Sequence, residues 1–221
     1  MTDKKSPQLL LKFLVLGLTP FFINNWLNEY LVDNPVIFWI LDVFAWVILP
    51  ASIAFILIRK HGMSFRDVGL GNPFTGMKES LRLINVAVIA TVVLFFSHRV
   101  AFTGLSVFFP DQPTFSYQTM IPGDGNTRYL VICYFAITAG IVEEFYYRGL
   151  LLRVVRCFDA KDSLYLLVSP ILFALAHWEQ GLAGVGASWV FGVLACIVYL
   201  RLRNLRPLIT SHIVIDLILF S

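Results

Sequence analysis

The sequence predicts an all-α protein, a polytopic bundle of transmembrane helices. Hydrophobic residues make up 58% of its 221 residues, and the mean hydropathy is +0.77. Only 14% of the residues are charged, whereas soluble domains have about 25%. Because no polar stretch is long enough for a separate soluble domain, we expect a single transmembrane domain over residues 1–221. The net charge of +3 does not indicate nucleic acid as a partner.

Segments of the length that a bilayer requires account for most of the chain, since a spanning helix needs about 20 mostly apolar residues. We predict about seven spans, approximately at residues 8–27, 36–58, 82–103, 129–152, 164–180, 184–200 and 206–221. The fifth contains Ser169 and Pro170, a pair typical of a helix N-cap followed by proline at the first helical position. We therefore expect a helix to begin at this pair.

Basic residues alternate between the connections as the positive-inside rule requires. They cluster before the first span and in the second, fourth and sixth connections: Lys4, Lys5 and Lys12; Arg59, Lys60, Arg66 and Lys78; Arg153, Arg156 and Lys161; Arg201, Arg203 and Arg206. The other connections carry Asn28, Glu29, Asp33, Asp111, Asp124 and Glu179, with Arg99 and Arg128 near span ends. The rule predicts a cytoplasmic N-terminus and an outer C-terminus, in an integral protein of the cell inner membrane.

The stretch 139–151 carries three charged residues inside the fourth span, namely Glu143, Glu144 and Arg148. A charged side chain at the bilayer centre costs about 2.5–3.5 kcal/mol, so these side chains are expected to face protein or water. Glu144 and Arg148 are four residues apart and should pair on one helix face. Glu143 is rotated from Glu144 by about 100° and should point elsewhere.

Two later spans also carry polar side chains that need partners. His177 lies in the fifth span, and His212 and Asp216 lie four residues apart on one face of the last span. Ionisable residues inside a membrane indicate a functional site by default. Counted along the helices from the cytoplasmic side, Glu143, His177 and His212 lie at depths of about 8–14 Å, provided that the helix of His177 begins at Ser169.

These residue types suit hydrolysis without a metal. A carboxylate near an imidazole in a dry pocket can share a water molecule with it, take the proton and leave a nucleophile. A second histidine and a hydrogen-bonding residue one turn later can stabilise the oxyanion that forms. Two histidines and a carboxylate are also a known zinc set, so a zinc-dependent hydrolase is an alternative, although the sequence contains no H-x-x-x-H pair.

The chain resembles the CPBP family of intramembrane endopeptidases, which includes the CAAX-prenyl proteases and the bacteriocin-processing or self-immunity proteins. The family patterns E-E-x-x-x-R, F-x-x-x-H and H-x-x-x-N correspond here to Glu143, Glu144 and Arg148, to Phe173 and His177, and to His212 and Asp216. The likeness covers about residues 129–221, which form the motif-bearing core. Residues 1–128 contribute N-terminal spans and loops whose only signal is hydropathy.

The resemblance implies catalytic residues on the last four segments and no cofactor. Glu143 would activate the water and His177 would assist it. Glu144 and Arg148 would support these groups from behind.

The third motif departs from the family pattern, because Asp216 stands where the family commonly has Asn. The resemblance implies an oxyanion site formed by His212 and this residue. An ionised aspartate would repel an oxyanion, so Asp216 would have to be protonated or would instead orient His212.

The expected function is hydrolysis of a peptide bond near the cytoplasmic leaflet, in a membrane-embedded protein or a peptide that partitions into the bilayer. Prenylated C-termini are the best-known substrates of the family, but nothing in this sequence indicates a prenyl pocket. Peptide maturation, bacteriocin immunity and removal of C-terminal sorting signals are equally open. A non-catalytic scaffold or immunity protein that acts by binding is the alternative from another class. A transporter is less favoured, since the two halves show no matching Gly- or Pro-broken helices.

Overall fold

A computed structural model describes residues 6–71, 76–110 and 113–221, so Lys4, Lys5 and Asp111 lie outside the described residues. Within these ranges the chain forms helices and no strand. The seven long helices of the described residues are α1 (Pro7–Leu31), α2 (Pro35–Arg59), α3 (Met77–Ser106), α4 (Gly125–Cys157), α5 (Asp162–Leu175), α6 (Gly181–Leu202) and α7 (Arg206–Phe220). Each of the seven predicted spans corresponds to one of these helices.

The predicted fold class is confirmed, and the chain is an integral membrane protein. The helices α1, α2, α3 and α4 are long and apolar enough to cross a membrane, and so is α6 with the short turn Trp178–Gln180 that precedes it. The other two helices, α5 and α7, have 14 and 15 residues. They are shorter than the about 20 residues that a perpendicular crossing requires.

The expectation that a helix begins at Ser169 is wrong. The helix α5 begins at Asp162 and continues through Pro170 to Leu175. Ser169 is fully buried, and its hydroxyl donates to the backbone carbonyl of Tyr147 on α4 at 2.7 Å, so this serine joins two helices instead of capping one. Proline inside a membrane helix is tolerated where neighbouring helices satisfy the backbone around it. The predicted depth of His177 depended on a helix start at Ser169, so it does not hold. The position of His177 in the bundle follows instead from its contacts with neighbouring residues.

Three connections lie together on one side of the bundle, which we call the basic face: 60–71, 158–161 and 203–205. The backbone N–H of Leu205 donates to the carbonyl of Gly69 at 2.9 Å, and Arg203 donates to Asp162 at 3.1 Å. The start of α1 is on the same side, since the rings of Phe13 and His61 are 5.8 Å apart. The connections rich in lysine and arginine therefore share one face, as the alternation of charge predicts.

The remaining connections form the opposite face: 32–34, 113–124 and 176–180, together with the end of α7. The N–H of Thr114 donates to the carbonyl of Glu179 at 2.8 Å, and the Gln118 amide donates to the carbonyl of Leu219 at 3.0 Å. Asn28 at the end of α1 donates to the Tyr117 hydroxyl at 3.2 Å. The connection between α3 and α4 is therefore packed onto the helix ends of this face.

Helix α4 lies at the centre of the bundle, and α7 packs closely against it. Every residue from Glu144 to Leu150, a π-helical segment within α4, is buried. Gly140 lies where the two helices meet, and a Cβ atom there would be 3.1 Å from the backbone nitrogen of Ile213. The absence of a side chain at Gly140 thus allows the backbone of α7 to approach α4 one turn from its two glutamates.

Candidate active site

The site is built around a buried ion pair on α4. Glu144 and Arg148 are both fully buried, and Arg148 Nη1 lies 3.2 Å from Glu144 Oε1. The guanidinium carbon of Arg148 also lies 4.2 Å from the ring centroid of Phe173, a cation–π contact with α5. The pairing predicted from the spacing of the two residues is thus present. Each partner depends on the other, because removal of one would leave an uncompensated buried charge.

His212 on α7 lies between the two adjacent glutamates. Its Nδ1 is 2.9 Å from Glu144 Oε1, and its Nε2 is 3.5 Å from Glu143 Oε2. Glu143 therefore lines the cavity while Glu144 pairs with Arg148, in agreement with the expectation that Glu143 points elsewhere. The ring of His212 contacts both carboxylates because it has a nitrogen on each of two edges.

The local helix geometry contributes to this arrangement. The α-helical part of α4 ends at Glu143, and a π-helical segment begins at Glu144. In a π-helix the backbone bonds run from i to i+5, and such segments occur frequently at functional sites. Glu143 and Glu144 therefore stand at the junction between two helix geometries, directly opposite His212.

Asp216 is the third carboxylate beside His212. Its Oδ2 lies 3.7 Å from His212 Nε2, on the same edge of the ring as Glu143. A carboxylate beside a ring nitrogen favours a proton on that nitrogen, because the ionised carboxylate only accepts hydrogen bonds. Both contacts at Nε2 are longer than the usual 2.7–3.2 Å of a direct N–H···O bond, so this edge of the ring is open to a water molecule or a substrate oxygen.

His177 follows the end of α5, and its hydrogen bond selects a tautomer. The ring atom Nδ1 lies 2.8 Å from the carbonyl of Phe173. A carbonyl only accepts, so Nδ1 carries the proton and donates it. In the neutral imidazole Nε2 is then an acceptor, able to receive a proton or a hydrogen bond from water.

One cavity of about 170 Å³ brings four of the predicted residues together. Glu143, His177, His212 and Asp216 all line it, whereas Glu144 and Arg148 lie behind His212 and do not line it. The cavity is large enough for a few water molecules or for one side chain. A carboxylate, an imidazole acceptor and a second imidazole between carboxylates thus line one cavity between the helices.

Comparison with known protein families assigns this region. Residues 125–218 match the family model described as Type II CAAX prenyl endopeptidase Rce1-like. Over these residues the chain is similar to the Rce1-like family. This family consists of peptide hydrolases, and the prediction of a CAAX-type intramembrane endopeptidase is confirmed at this level. No curated protein and no solved structure shows a significant match to the chain.

The matched region contains all six predicted site residues, from Glu143 to Asp216. Their individual catalytic roles stay a prediction. The boundary at about residue 129, between the N-terminal spans and the motif-bearing core, also stays a prediction. Among the described residues, no three histidine, cysteine, aspartate or glutamate side chains are arranged as a metal site. Histidine and carboxylate side chains, which are donor types of zinc sites, nevertheless line the cavity. The zinc alternative is therefore tested by zinc content and by chelation.

The cavity has further polar lining residues without a predicted role, and some of them precede the matched range 125–218. These residues are Asp42, His98, Tyr117, Glu179, Gln180 and Ser188. Asp42 stands inside the predicted second span, and the cost of placing a charge in lipid was a signal that could have identified it. Glu179 and His98 give a weaker signal, because Glu179 lies in a predicted connection and His98 lies near the end of the third predicted span.

The cavity extends from Glu143 towards the opposite face. Tyr117 and Glu179 belong to connections of that face, and Phe220 ends α7 on the same side. No described residue of the basic-face connections lines the cavity. The predicted cytoplasmic position of the basic connections and the predicted cleavage near the cytoplasmic leaflet therefore cannot both hold. If the basic face is cytoplasmic, the cavity extends away from the cytoplasmic leaflet.

Proposed function

We propose that the chain is a glutamic-type intramembrane endopeptidase that hydrolyses a peptide bond of a membrane-associated protein or peptide. The observation that carries the proposal is the position of Glu143. Its carboxylate lines the cavity 3.5 Å from His212 Nε2, and the acceptor nitrogen of His177 belongs to a ring that lines the same cavity. This arrangement provides a base, a hydrogen-bond acceptor and a hydrogen-bond donor in the lining of one cavity.

In the proposed reaction Glu143 takes a proton from a water molecule, and the oxygen of that water attacks the peptide carbonyl carbon. The Nε2 of His177 accepts a hydrogen bond from the same water and directs it. As the carbonyl becomes an oxyanion, His212 donates its Nε2–H to it. Glu143 then delivers the proton to the amide nitrogen as the C–N bond breaks, which releases an amine and a new carboxyl terminus.

The remaining residues position His212. Glu144 accepts the Nδ1–H of the ring at 2.9 Å, and Arg148 is the counter-charge of Glu144. Asp216 at 3.7 Å favours the protonated Nε2, which is the form that an oxyanion requires. Asp216 therefore acts on His212 and does not itself bind the oxyanion.

The proposed orientation is a cytoplasmic N-terminus in the cell inner membrane, as the charge alternation favours. The cavity then extends towards the outer side, so the substrate bond enters from the outer half of the bilayer. This replaces the expectation of a cut near the cytoplasmic leaflet. Prenylated proteins, peptides under maturation and proteins with C-terminal sorting signals are all membrane-associated substrates of the proposed kind.

The experiment compares wild type with Glu143→Gln by mass spectrometry of C-termini in membrane fractions of cells that express either form. Glutamine keeps the size of the side chain and removes the base. We expect a small set of C-termini that is present with wild type and absent with Glu143→Gln at equal expression. Glu29→Gln, an exposed site on the opposite face, is the matched control and should leave the set unchanged.

Other outcomes identify the alternatives. Identical C-termini in both samples, with any biological phenotype retained in Glu143→Gln, would replace the enzyme by a non-catalytic scaffold or immunity protein. Loss of the same C-termini on chelation, with zinc in the purified protein, would replace the metal-free mechanism by the zinc-dependent one.

A further inference from the structure

The inner end of the cavity holds the proposed catalytic residues, and its outer end holds two further carboxylates. Asp42 on α2 is 1% exposed, and Glu179 between α5 and α6 is 3% exposed. Both line the cavity together with Glu143 and Asp216. The second pair has no part in the proposed reaction, so its position requires a separate explanation.

Each of these two carboxylates has one oxygen without a hydrogen-bond partner among the described residues. Asp42 Oδ1 accepts a hydrogen bond from the Tyr134 hydroxyl at 2.8 Å, but Asp42 Oδ2 is buried and unpaired. Glu179 Oε2 is likewise buried and unpaired. A buried acceptor of this kind is costly unless a donor reaches it. Both side chains line the cavity, so a molecule that enters the cavity is the available donor.

The charge of the cavity favours a cationic donor. Its described lining contains four carboxylates, three histidines and neither lysine nor arginine. His212 with a proton on both nitrogens balances only one of the four carboxylates. The guanidinium of Arg148 lies behind His212, where it is paired with Glu144. Carboxylates buried between helices attract positive charge more strongly than carboxylates at the surface, because the effective dielectric constant is lower there.

Aromatic rings complete this part of the cavity. Phe21, Trp46 and Phe135 line it, and so does Tyr117 from the opposite-face connection. Faces of such rings bind the ammonium of lysine and the guanidinium of arginine, and they also cover the apolar stems of these side chains. Carboxylates among aromatic rings are therefore suited to a long basic side chain.

We propose that Asp42 and Glu179 form a subsite for a lysine or arginine side chain of the substrate. The proposal rests on the proposed function, since it assumes that the cavity admits a peptide. It adds a specificity: the substrate carries a basic residue on the side of the cleaved bond that lies towards the opposite face. Asp42 and Glu179 are binding residues and take no part in the transfer of the proton.

The test measures binding in Glu143→Gln protein in lipid nanodiscs, where cleavage does not complicate the result. The probes are fluorescent, N-acetylated and C-amidated octapeptides of leucine and alanine. One position, moved along the peptide, holds either arginine or its neutral isostere citrulline. We expect at least one position at which the arginine peptide binds roughly tenfold more tightly than the citrulline peptide, as expected for a hydrogen bond to a charged group.

The variant that tests the subsite is Asp42→Asn combined with Glu179→Gln, in the same Glu143→Gln background. It should remove the preference for arginine and leave binding of the citrulline peptides unchanged. Glu29→Gln combined with Asp33→Asn removes two charges from exposed positions of the same face and should preserve the preference. Thermal unfolding of each variant confirms that the fold is retained.

Four results separate this proposal from the proposed function. Equal binding of arginine and citrulline peptides at every position, or a preference that survives in the Asp42 and Glu179 variant, would overturn the subsite. A preference for arginine that disappears in that variant, in a protein whose wild type cleaves nothing, would support the subsite and overturn the endopeptidase. A preference lost equally in the Glu29 and Asp33 control would assign it to surface charge and overturn the subsite.

Discussion

Glu144 Oε1 lies 2.9 Å from His212 Nδ1 and 3.2 Å from Arg148 Nη1, so one buried carboxylate oxygen connects the α7 histidine to the α4 arginine. This contact links the packing of the bundle to the orientation of the imidazole. It also explains why adjacent glutamates are needed. Glu144 holds the Nδ1 edge of the His212 ring, and Glu143 lies beside the Nε2 edge, which faces the cavity.

Replacing Glu144 by Gln should affect both stability and activity. Arg148 would lose its counter-charge in a fully buried position, which costs about 3–5 kcal/mol of unfolding free energy. His212 would lose the carboxylate that holds Nδ1–H. Thermal unfolding in detergent and cleavage at a temperature where the protein is folded measure the two effects.

A second substitution separates these effects. In the double variant Glu144→Gln with Arg148→Met no uncompensated charge is left, so most of the stability should return. Activity should not return, because the glutamine amide accepts the Nδ1–H without the negative charge that stabilises His212 with a proton on both nitrogens. Recovery of activity together with stability would show that Glu144 serves packing only.

Gly140→Ala tests whether the close approach of α4 and α7 positions the site. The added Cβ would be 2.5 Å from Ile213 Cγ1 and 3.1 Å from Ile213 N, so the two helices must move apart. Overpacking of this kind costs about 1–3 kcal/mol. We expect lower stability and, in the folded protein, slower cleavage, because His212 moves away from Glu143. Gly104→Ala on α3 is the control, since no atom lies within 4 Å of the position that its Cβ would take, and it should change neither quantity.

The ion pairs of Asp162 on the basic face predict that the stability of the fold depends on pH. Hydrogen bonds from Arg156, and then the charge of Arg203, hold the pKa of Asp162 below its usual value of 3.8. A lowered pKa in the folded state stabilises the fold above the unfolded-state pKa, and this contribution is lost as the pH falls through the folded-state pKa. The pairs are partly exposed, so the effect is at most about 1 kcal/mol.

Thermal unfolding of wild type and Asp162→Asn between pH 7 and pH 3 measures this contribution. Wild type should unfold at a slightly higher temperature at pH 7, and the difference should shrink towards pH 3 and in high salt. Asp159→Asn removes the same charge from the preceding connection 158–161 and is the control. A constant difference at all pH values would show that the aspartate acts through something other than its charge.

The orientation is tested by labelling single cysteines in a variant from which Cys133, Cys157 and Cys196 have been removed. Lys60→Cys and Lys161→Cys report the basic face, and Asp33→Cys and Asp124→Cys report the opposite face. A membrane-impermeant maleimide added to intact cells should label the second pair and not the first. The reverse pattern would place the cavity on the cytoplasmic side and contradict the proposed topology.

The features that the sequence predicts well are those determined by local composition. Each span required only a run of apolar residues, and the common side of the basic connections required only the positions of lysine and arginine. The pairing of Glu144 with Arg148 followed from their spacing within one helix. These predictions needed no knowledge of which helices are neighbours.

The features that the sequence does not predict depend on contacts between distant segments. Ser169 resembled a helix cap because its partner, the carbonyl of Tyr147, lies on another helix. The contact of Glu143 with His212 depends on the packing of α7 beside α4. Asp42 carries a recognisable signal as an acid inside a span, but its neighbours in the cavity come from the other helices.

The central claim is that Glu143 activates the water that cleaves the substrate. Its most direct test is the cleavage rate of purified wild type and purified Glu143→Gln on one peptide substrate in nanodiscs, with and without chelator. General acid–base catalysis contributes about 10²- to 10⁴-fold, so we predict a rate loss of that size in Glu143→Gln, an unchanged thermal unfolding and no effect of the chelator on wild type. A Glu143→Gln protein that cleaves at the wild-type rate would contradict the account.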